Sequence, residues 1–245
     1  MESLVLVVKT QPSQNGYTFK ESPYSSHSQL LSVMPGDGRG RKVLDVGCAS
    51  GYLGRLLADR GYEVTGIERP GGAGSDFPEN VRLIEHDLEQ GFPSLAQEFD
   101  YVICADILEH LRDPASLLRQ IWAVLKPTGL LVASLPNSGN FYFRLNILLG
   151  RFPQDDKGLF DRTHLHFYFW YGWKDLLSTG GFTVAERRLT GVPVGLAVPS
   201  MQESAIVKAA EGSAYLAAKI WPSLFAYQFV ITARPEAPLA KGSSS

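Results

Sequence analysis

The chain has 245 residues, 44% of them hydrophobic and 20% charged, with a formal net charge of −2. That balance suits one folded α/β domain with decorations and offers no general electrostatic attraction to nucleic acid. Two cysteines, Cys48 and Cys104, rule out a disulfide framework, and no apolar run reaches the ~18 residues of a membrane span, so a cytoplasmic protein without a transmembrane segment is expected.

Leu4 to Val8 is apolar but too short, and without the basic flank, for a secretory signal. Strand and helix patterns then alternate from about Lys42. Val43 to Val46 reads as a first strand. Leu53, Leu56 and Leu57 form a helical stripe closed by Gly61. Glu63 to Ile67 reads as a second strand ending at Glu68, and Val81 to Glu85 as a short third ending near Asp87. Tyr101 to Ala105 is a buried fourth strand. Asp113-Pro114 starts a helix, with aspartate as N-cap and proline in the first turn, and Lys126-Pro127-Thr128-Gly129 stops it. Leu130 to Leu135 makes strand five. Residues 137–167 break the period as an aromatic-rich insertion that leaves strand five on the ligand side and is expected to cap the cleft, with Phe141, Tyr142 and Phe143 near its apolar wall. Trp170 to Thr179 is helical again, and Phe182 to Leu189 is strand six. Residues 191–222 form a second insertion with an Ala-rich helix from about Gln202 to Ile220, and Leu224 to Thr232 returns as the last strand. Residues 1–235 therefore read as one α/β domain, a Rossmann-like, doubly wound, mostly parallel seven-stranded sheet, with 236–245 as a disordered tail.

Residues 43–51, Val-Leu-Asp-Val-Gly-Cys-Ala-Ser-Gly, are the most informative stretch. They read as the first β-turn-α unit of a nucleotide-binding fold, with Gly47 and Gly51 admitting close backbone approach to a ligand. A pyrophosphate wants N–H groups at such a turn, not the carboxylate of Asp45. A carboxylate suits a cationic ligand with a free amino group, and S-adenosylmethionine fits that description. Ala49, in place of a middle glycine, is tolerable if its backbone stays at negative φ.

The stretch resembles the D-x-G-x-G-x-G signature of class I S-adenosylmethionine-dependent methyltransferases. Phe99 to Leu111 is similar to the fourth-strand motif of ubiquinone- and menaquinone-type methyltransferases, and Leu125 to Leu130 to their helix-turn-strand segment. Leu148 to Phe152 and Asp161 to Phe167 resemble a narrower bacterial group, the type 23 methyltransferases, with His166 where arginine is commoner. The resemblance implies Asp45 at the amino acid portion of the cofactor, Glu68 on the ribose, Asp87 with Leu88 on the adenine, and Gly47, Cys48, Gly51 and Asp106 as further cofactor-binding residues. It also implies that an N-terminal segment with Tyr17, Phe19, Tyr24 and His27 covers the cofactor, Tyr24 meeting the methionine carboxylate. The product is S-adenosylhomocysteine. The acceptor is expected to be a small hydroxylated molecule, a sugar, glycan or secondary metabolite, either saccharide or lipid-linked. A silent S-adenosylmethionine-binding sensor or partner subunit is the alternative.

A hydroxyl acceptor needs a base. His164 is the first candidate, His110 the second, with Asp161 beside them. Glu109-His110 can equally orient the loop after strand four, and Asp161-Arg162-Thr163-His164 can pin the insertion through an internal ion pair. If that stretch is extended, His164, His166 and Tyr168 share one face and Leu165, Phe167 and Phe169 face the core. With no third ligand in phase, no metal is expected. The apolar run from Phe141 to Leu149, beside Arg144 and Arg151, can pack on its own domain, line a substrate pocket or touch a membrane.

Overall fold

The computed structural model describes residues 22–95, 98–197 and 204–236. Leu4 to Val8, Tyr17, Phe19 and the tail beyond Glu236 lie outside them. Seven strands, β1 (Lys42–Val46), β2 (Glu63–Glu68), β3 (Arg82–Glu85), β4 (Phe99–Ala105), β5 (Leu125–Pro136), β6 (Phe182–Leu189) and β7 (Gln228–Pro235), form one sheet in the order β3-β2-β1-β4-β5-β7-β6. β1 pairs in parallel with β2 on one side and β4 on the other, so the strand order reverses there and opens a crevice at their carboxyl ends. β7 enters antiparallel between β5 and β6.

The alternation within β1 explains the layering. Leu44 and Val46 face one side, where α3 (Pro114–Val124) and α5 (Trp170–Thr179) bury Leu117, Leu118, Ile121, Trp173 and Leu177. Val43 faces the other, packed with Leu30 and Leu31 of α1 (Ser26–Val33) and Leu53 and Leu57 of α2 (Tyr52–Ala58). Trp173 is fully buried and its indole N–H donates to the Pro136 carbonyl at 2.8 Å, which satisfies the ring's one polar atom. The predicted cap of α3 is present: the Asp113 carboxylate accepts from the Ser116 N–H at 2.8 Å, and Pro114 occupies the first turn.

Three boundaries differ from the sequence reading. β5 begins at Leu125, before the Lys-Pro-Thr-Gly segment, and its register against β4 shifts between Phe99 and Tyr101 so that this segment bulges out. The last strand begins at Gln228, because Pro222–Phe225 form a short helix, α8, that follows the longer α7 (Ala205–Ile220); α6 (Val194–Ala197) precedes both. Glu236, expected in the tail, is tied down: its N–H donates to Gly181 O at 2.8 Å and its carbonyl accepts from the Trp122 indole at 2.7 Å. The 137–167 insertion holds α4 (Phe141–Leu148), whose amino end is capped by the Asn140 side chain.

Candidate active site

The glycine turn follows β1 as expected, and its glycines are also required by the protein's own packing. Gly47 and Gly51 have φ of +74° and +71°, conformations only glycine adopts cheaply. A side chain at Gly47 would collide with Ile107, and one at Gly51 with Phe77 and Pro78. Ala49 is at φ +47°, so the condition under which alanine is free of strain there is not met. A left-handed alanine costs roughly 1–2 kcal/mol. The compensation is visible: its N–H donates to Glu68 Oε2 at 2.8 Å, fastening the turn to the end of β2.

Asp45 lies under this turn, 1% exposed, and its Oδ2 has no hydrogen-bond partner among the described residues. Burial, with the Glu68 carboxylate nearby, raises its pKa to about 7. An unsatisfied carboxylate oxygen costs roughly 1–3 kcal/mol or more, so the site is incomplete without a donor. The Cys48 side chain points into the sheet rather than out of the turn. It is buried against Gly66, where only a missing side chain leaves room for its sulfur, and burial pushes its thiol pKa up. Asp87 caps the one-turn helix Leu88–Gln90, accepting from the Glu89 N–H at 3.0 Å and the Gln90 amide at 3.2 Å. Tyr24 is not recorded at the turn. Its ring stacks on Tyr215 of α7 at 4.7 Å, and its carbonyl accepts from Gly191. His27 of α1 lies nearer, its Nε2 2.7 Å from the hydroxyl of Tyr52, which opens α2 directly after Gly51.

Asp106 ends β4 in a left-handed conformation, φ +54°. Its Oδ1 accepts from Ser134 of β5 at 2.5 Å and from the Gln228 amide of β7 at 2.7 Å. Neither partner was visible in sequence; the signal was a buried polar residue, Ser134 and Gln228, in each of two strands.

The insertion returns to the sheet at the turn Leu108–His110. The N–H groups of Leu165 and His166 both donate to the Glu109 carbonyl, at 2.8 and 3.3 Å, which sets the His164 ring against His110 with centroids 4.7 Å apart. Asp161 is buried and accepts from the Thr163 N–H at 2.8 Å and the Thr163 hydroxyl at 2.6 Å. Burial alone would raise its pKa, but the bonds from Thr163 outweigh it and hold it low. Since the single Thr163 hydroxyl proton goes to Asp161, the Thr163 oxygen accepts from His110 Nδ1 at 2.9 Å, leaving Nε2 of His110 as the free acceptor nitrogen. The His164 side chain is 7% exposed, and burial and then His110 lower its pKa to about 4. It is therefore neutral at pH 7, and its 3.9 Å approach to Glu109 is no ion pair there.

Several expectations change here. Arg162 pairs with Asp156, not with Asp161. His166 and Tyr168 do share a face, stacked at 5.3 Å, but His166 Nε2 bonds the Leu111 carbonyl at 2.8 Å, a positioning role. Leu165 and Phe169 are exposed, and only Phe167 turns inward, packing against Phe143, Leu159 and Phe160. Phe143 joins that cluster while Phe141 and Tyr142 stay exposed. A third ligand does exist in space: one ligand atom each from Glu109, His110 and His164 lies within 4.8 Å of the others.

A family model described as a methyltransferase domain matches residues 23–187. A ubiquinone biosynthesis O-methyltransferase from Pseudomonas entomophila (strain L48) is 36% identical over 122 residues, 44% of this chain and 50% of that protein. The chain thus spans about half the length of the curated relatives it matches. Among solved structures, magnesium protoporphyrin IX methyltransferase from Synechocystis PCC 6803, with bound S-adenosylhomocysteine, is 18% identical, with TM-score 0.55 over 86% of this chain and 80% of that one. A Burkholderia thailandensis 1,6-didemethyltoxoflavin N1-methyltransferase, also with S-adenosylhomocysteine, is 17% identical, with TM-score 0.55 over 89% and 80%. These two likenesses establish the fold.

Proposed function

We propose, from the premise that this chain belongs to the methyltransferase domain family, that it transfers a methyl group from S-adenosylmethionine to a hydroxyl oxygen of a small acceptor. The observation that carries this reading is the unsatisfied, fully buried Asp45 oxygen beneath the glycine turn. A cationic α-amino group is a charged donor matched to such an oxygen, whereas a neutral or anionic nucleotide offers only uncharged hydroxyl and amine donors. Glu68, at the end of β2 with only one oxygen bound by Ala49, has capacity left for a ribose hydroxyl. Asp87 and Leu88 close β3 on the same side, at the adenine's expected position.

The cofactor, when bound, supplies a methyl group already activated on sulfonium. What this chain's residues must add is alignment and a base. His110 is the better placed base, because Asp161 and Thr163 hold its Nδ1–H and leave Nε2 toward an acceptor. His164, neutral and desolvated, fixes the His110 ring edge-on. The insertion 137–167 covers the acceptor side of the crevice, with Phe143 and Phe160, stacked at 4.5 Å, as its apolar floor. Oxygen rather than nitrogen is favoured by the O-methyltransferase relatives and by a base, which an already neutral amine does not need. A silent sensor has no use for the Asp161–Thr163–His110 chain.

A second reading rests on the same cluster. Glu109, His110 and His164 offer a carboxylate and two imidazoles, a donor set suited to a divalent cation that would acidify the acceptor hydroxyl directly. The experiment is methyl transfer from labelled S-adenosylmethionine to a panel of phenols, quinols and sugars, with and without chelator. Turnover on a hydroxyl acceptor that survives chelation supports the histidine base. Loss on chelation, restored by a divalent cation, supports the second reading. No turnover on any acceptor, with cofactor still bound, would favour the sensor.

A further inference from the structure

α4 is a helix with too little of itself buried. Phe143 packs inward, while Phe141, Tyr142, Leu145, Ile147 and Leu148 are all exposed, Leu148 to 82%. The surface continues past the helix. Phe141 lies 5.9 Å from Phe225 of α8, and the Asn137 and Asn140 amides bond the Ala226 carbonyl at 2.8 and 3.0 Å, which fixes the start of α4 to the end of α8. At the end of α7, Leu216, Ile220 and Trp221 are exposed in turn. All but Leu165, Phe169 and Tyr171 of the exposed large apolar side chains among the described residues lie on these two stretches, 139–152 and 204–227. Arg144 bridges toward the first group, its guanidinium 5.4 Å over the Phe169 ring. Contiguous apolar surface on this scale marks an interaction site.

The charges say what it meets. Arg144, Arg151, Lys208 and Lys219 are exposed on these stretches. Their one acid, Glu211, is 8% exposed and turned inward, accepting from the Ser22 hydroxyl at 2.7 Å and the Gly195 N–H at 3.0 Å. The face is therefore cationic and apolar in a chain whose net charge is −2. A second copy packed face to face would set these cations against each other. A protein partner's interface would more commonly be rimmed by both signs. Apolar side chains among Lys and Arg, with Tyr and Trp at the edge, match a bilayer interface rich in anionic headgroups. No helix among the described residues is long and apolar enough to cross a membrane, so any contact made by them is from the side.

We propose that α4 and the α7–α8 junction form a docking surface for an anionic lipid bilayer. It rests on this exposed face alone and not on the transfer reaction.

The test is sedimentation of the full chain with vesicles of phosphatidylcholine alone or mixed equally with phosphatidylglycerol. The chain is expected to bind the mixed vesicles, and to leave them as salt rises, because surface attraction is screened within a Debye length. The double variant Leu148→Asp, Leu149→Asp removes two exposed apolar contacts and should weaken binding about ten-fold or more with an unchanged melting temperature. Arg151→Gln should weaken it about five-fold, the share of one surface cation. The inference is overturned if the wild type stays in solution with both vesicles, or if the double variant binds as well as wild type. A dimer in sedimentation velocity that the double variant splits would also overturn it, assigning the face to a second copy.

Discussion

Replacing His110 by alanine is expected to lower turnover by roughly 10²–10⁴-fold while cofactor affinity stays within about a factor of two. The size follows from what is lost. Asp161 accepts the Thr163 hydroxyl at 2.6 Å, Thr163 accepts His110 Nδ1 at 2.9 Å, and the whole chain serves to aim one imidazole nitrogen. None of these residues touches the glycine turn, so binding is spared. Thr163→Val should reproduce a smaller loss, by freeing the ring rather than deleting it. The pH profile separates the two histidines. Burial holds His164 near pKa 4, so a rate set by His164 as base would rise through about pH 4 and be level above about pH 5. A weak base of that kind also gains little from proton transfer at pH 7. Should His110→Ala keep wild-type kcat while His164→Ala loses it, the base is His164, the first of the two in the sequence reading.

Cofactor affinity is expected to fall about ten-fold for each pH unit below about 7, and Asp45→Asn should abolish that slope. The sign follows from Asp45. In the free protein burial raises its carboxyl to about 7, so below that pH it is protonated and neutral. A bound ammonium requires the carboxylate, and the proton must leave first. Binding therefore releases a proton in acid and tightens as pH rises toward 7. An α-amino group keeps its own proton until ~7.7–8.0, so the ligand does not cancel the trend. Asparagine has no proton to lose and should bind weakly at every pH, by about one to two decades relative to wild type at neutral pH, the share of a charged hydrogen bond. Calorimetric titration across pH 5 to 8 reads both slopes. A wild-type affinity that is level over that range would remove Asp45 from the ammonium.

What was legible in the sequence was what is local. The turn after β1, the acids at strand ends, the Asp113-Pro114 cap and the seven strands all follow from patterns a few residues long. What was hidden depends on register between distant strands. Ser134 and Gln228 become partners of Asp106 only because β5 lies between β4 and the antiparallel β7. Glu109 becomes a neighbour of His164 only because the insertion hydrogen-bonds back to the Glu109 carbonyl. The φ of Ala49 was open for a related reason: its left-handed backbone is held by the Glu68 carboxylate nineteen residues away. Leu165 and Phe169 point outward because Phe143 and Phe160 already fill the space beneath the insertion.

The most direct test of an S-adenosylmethionine site at the ends of β1 to β3 is calorimetric titration of wild type and Glu68→Ala with S-adenosylhomocysteine, and of wild type with NAD. Wild type should bind S-adenosylhomocysteine and discriminate against NAD, whose pyrophosphate would meet the Asp45 carboxylate. Glu68→Ala should weaken binding by about one to two decades, because a hydrogen bond to a charged group contributes roughly 1.5–3 kcal/mol. Unchanged affinity in a folded Glu68→Ala protein, or tighter binding of NAD than of S-adenosylhomocysteine, would contradict it.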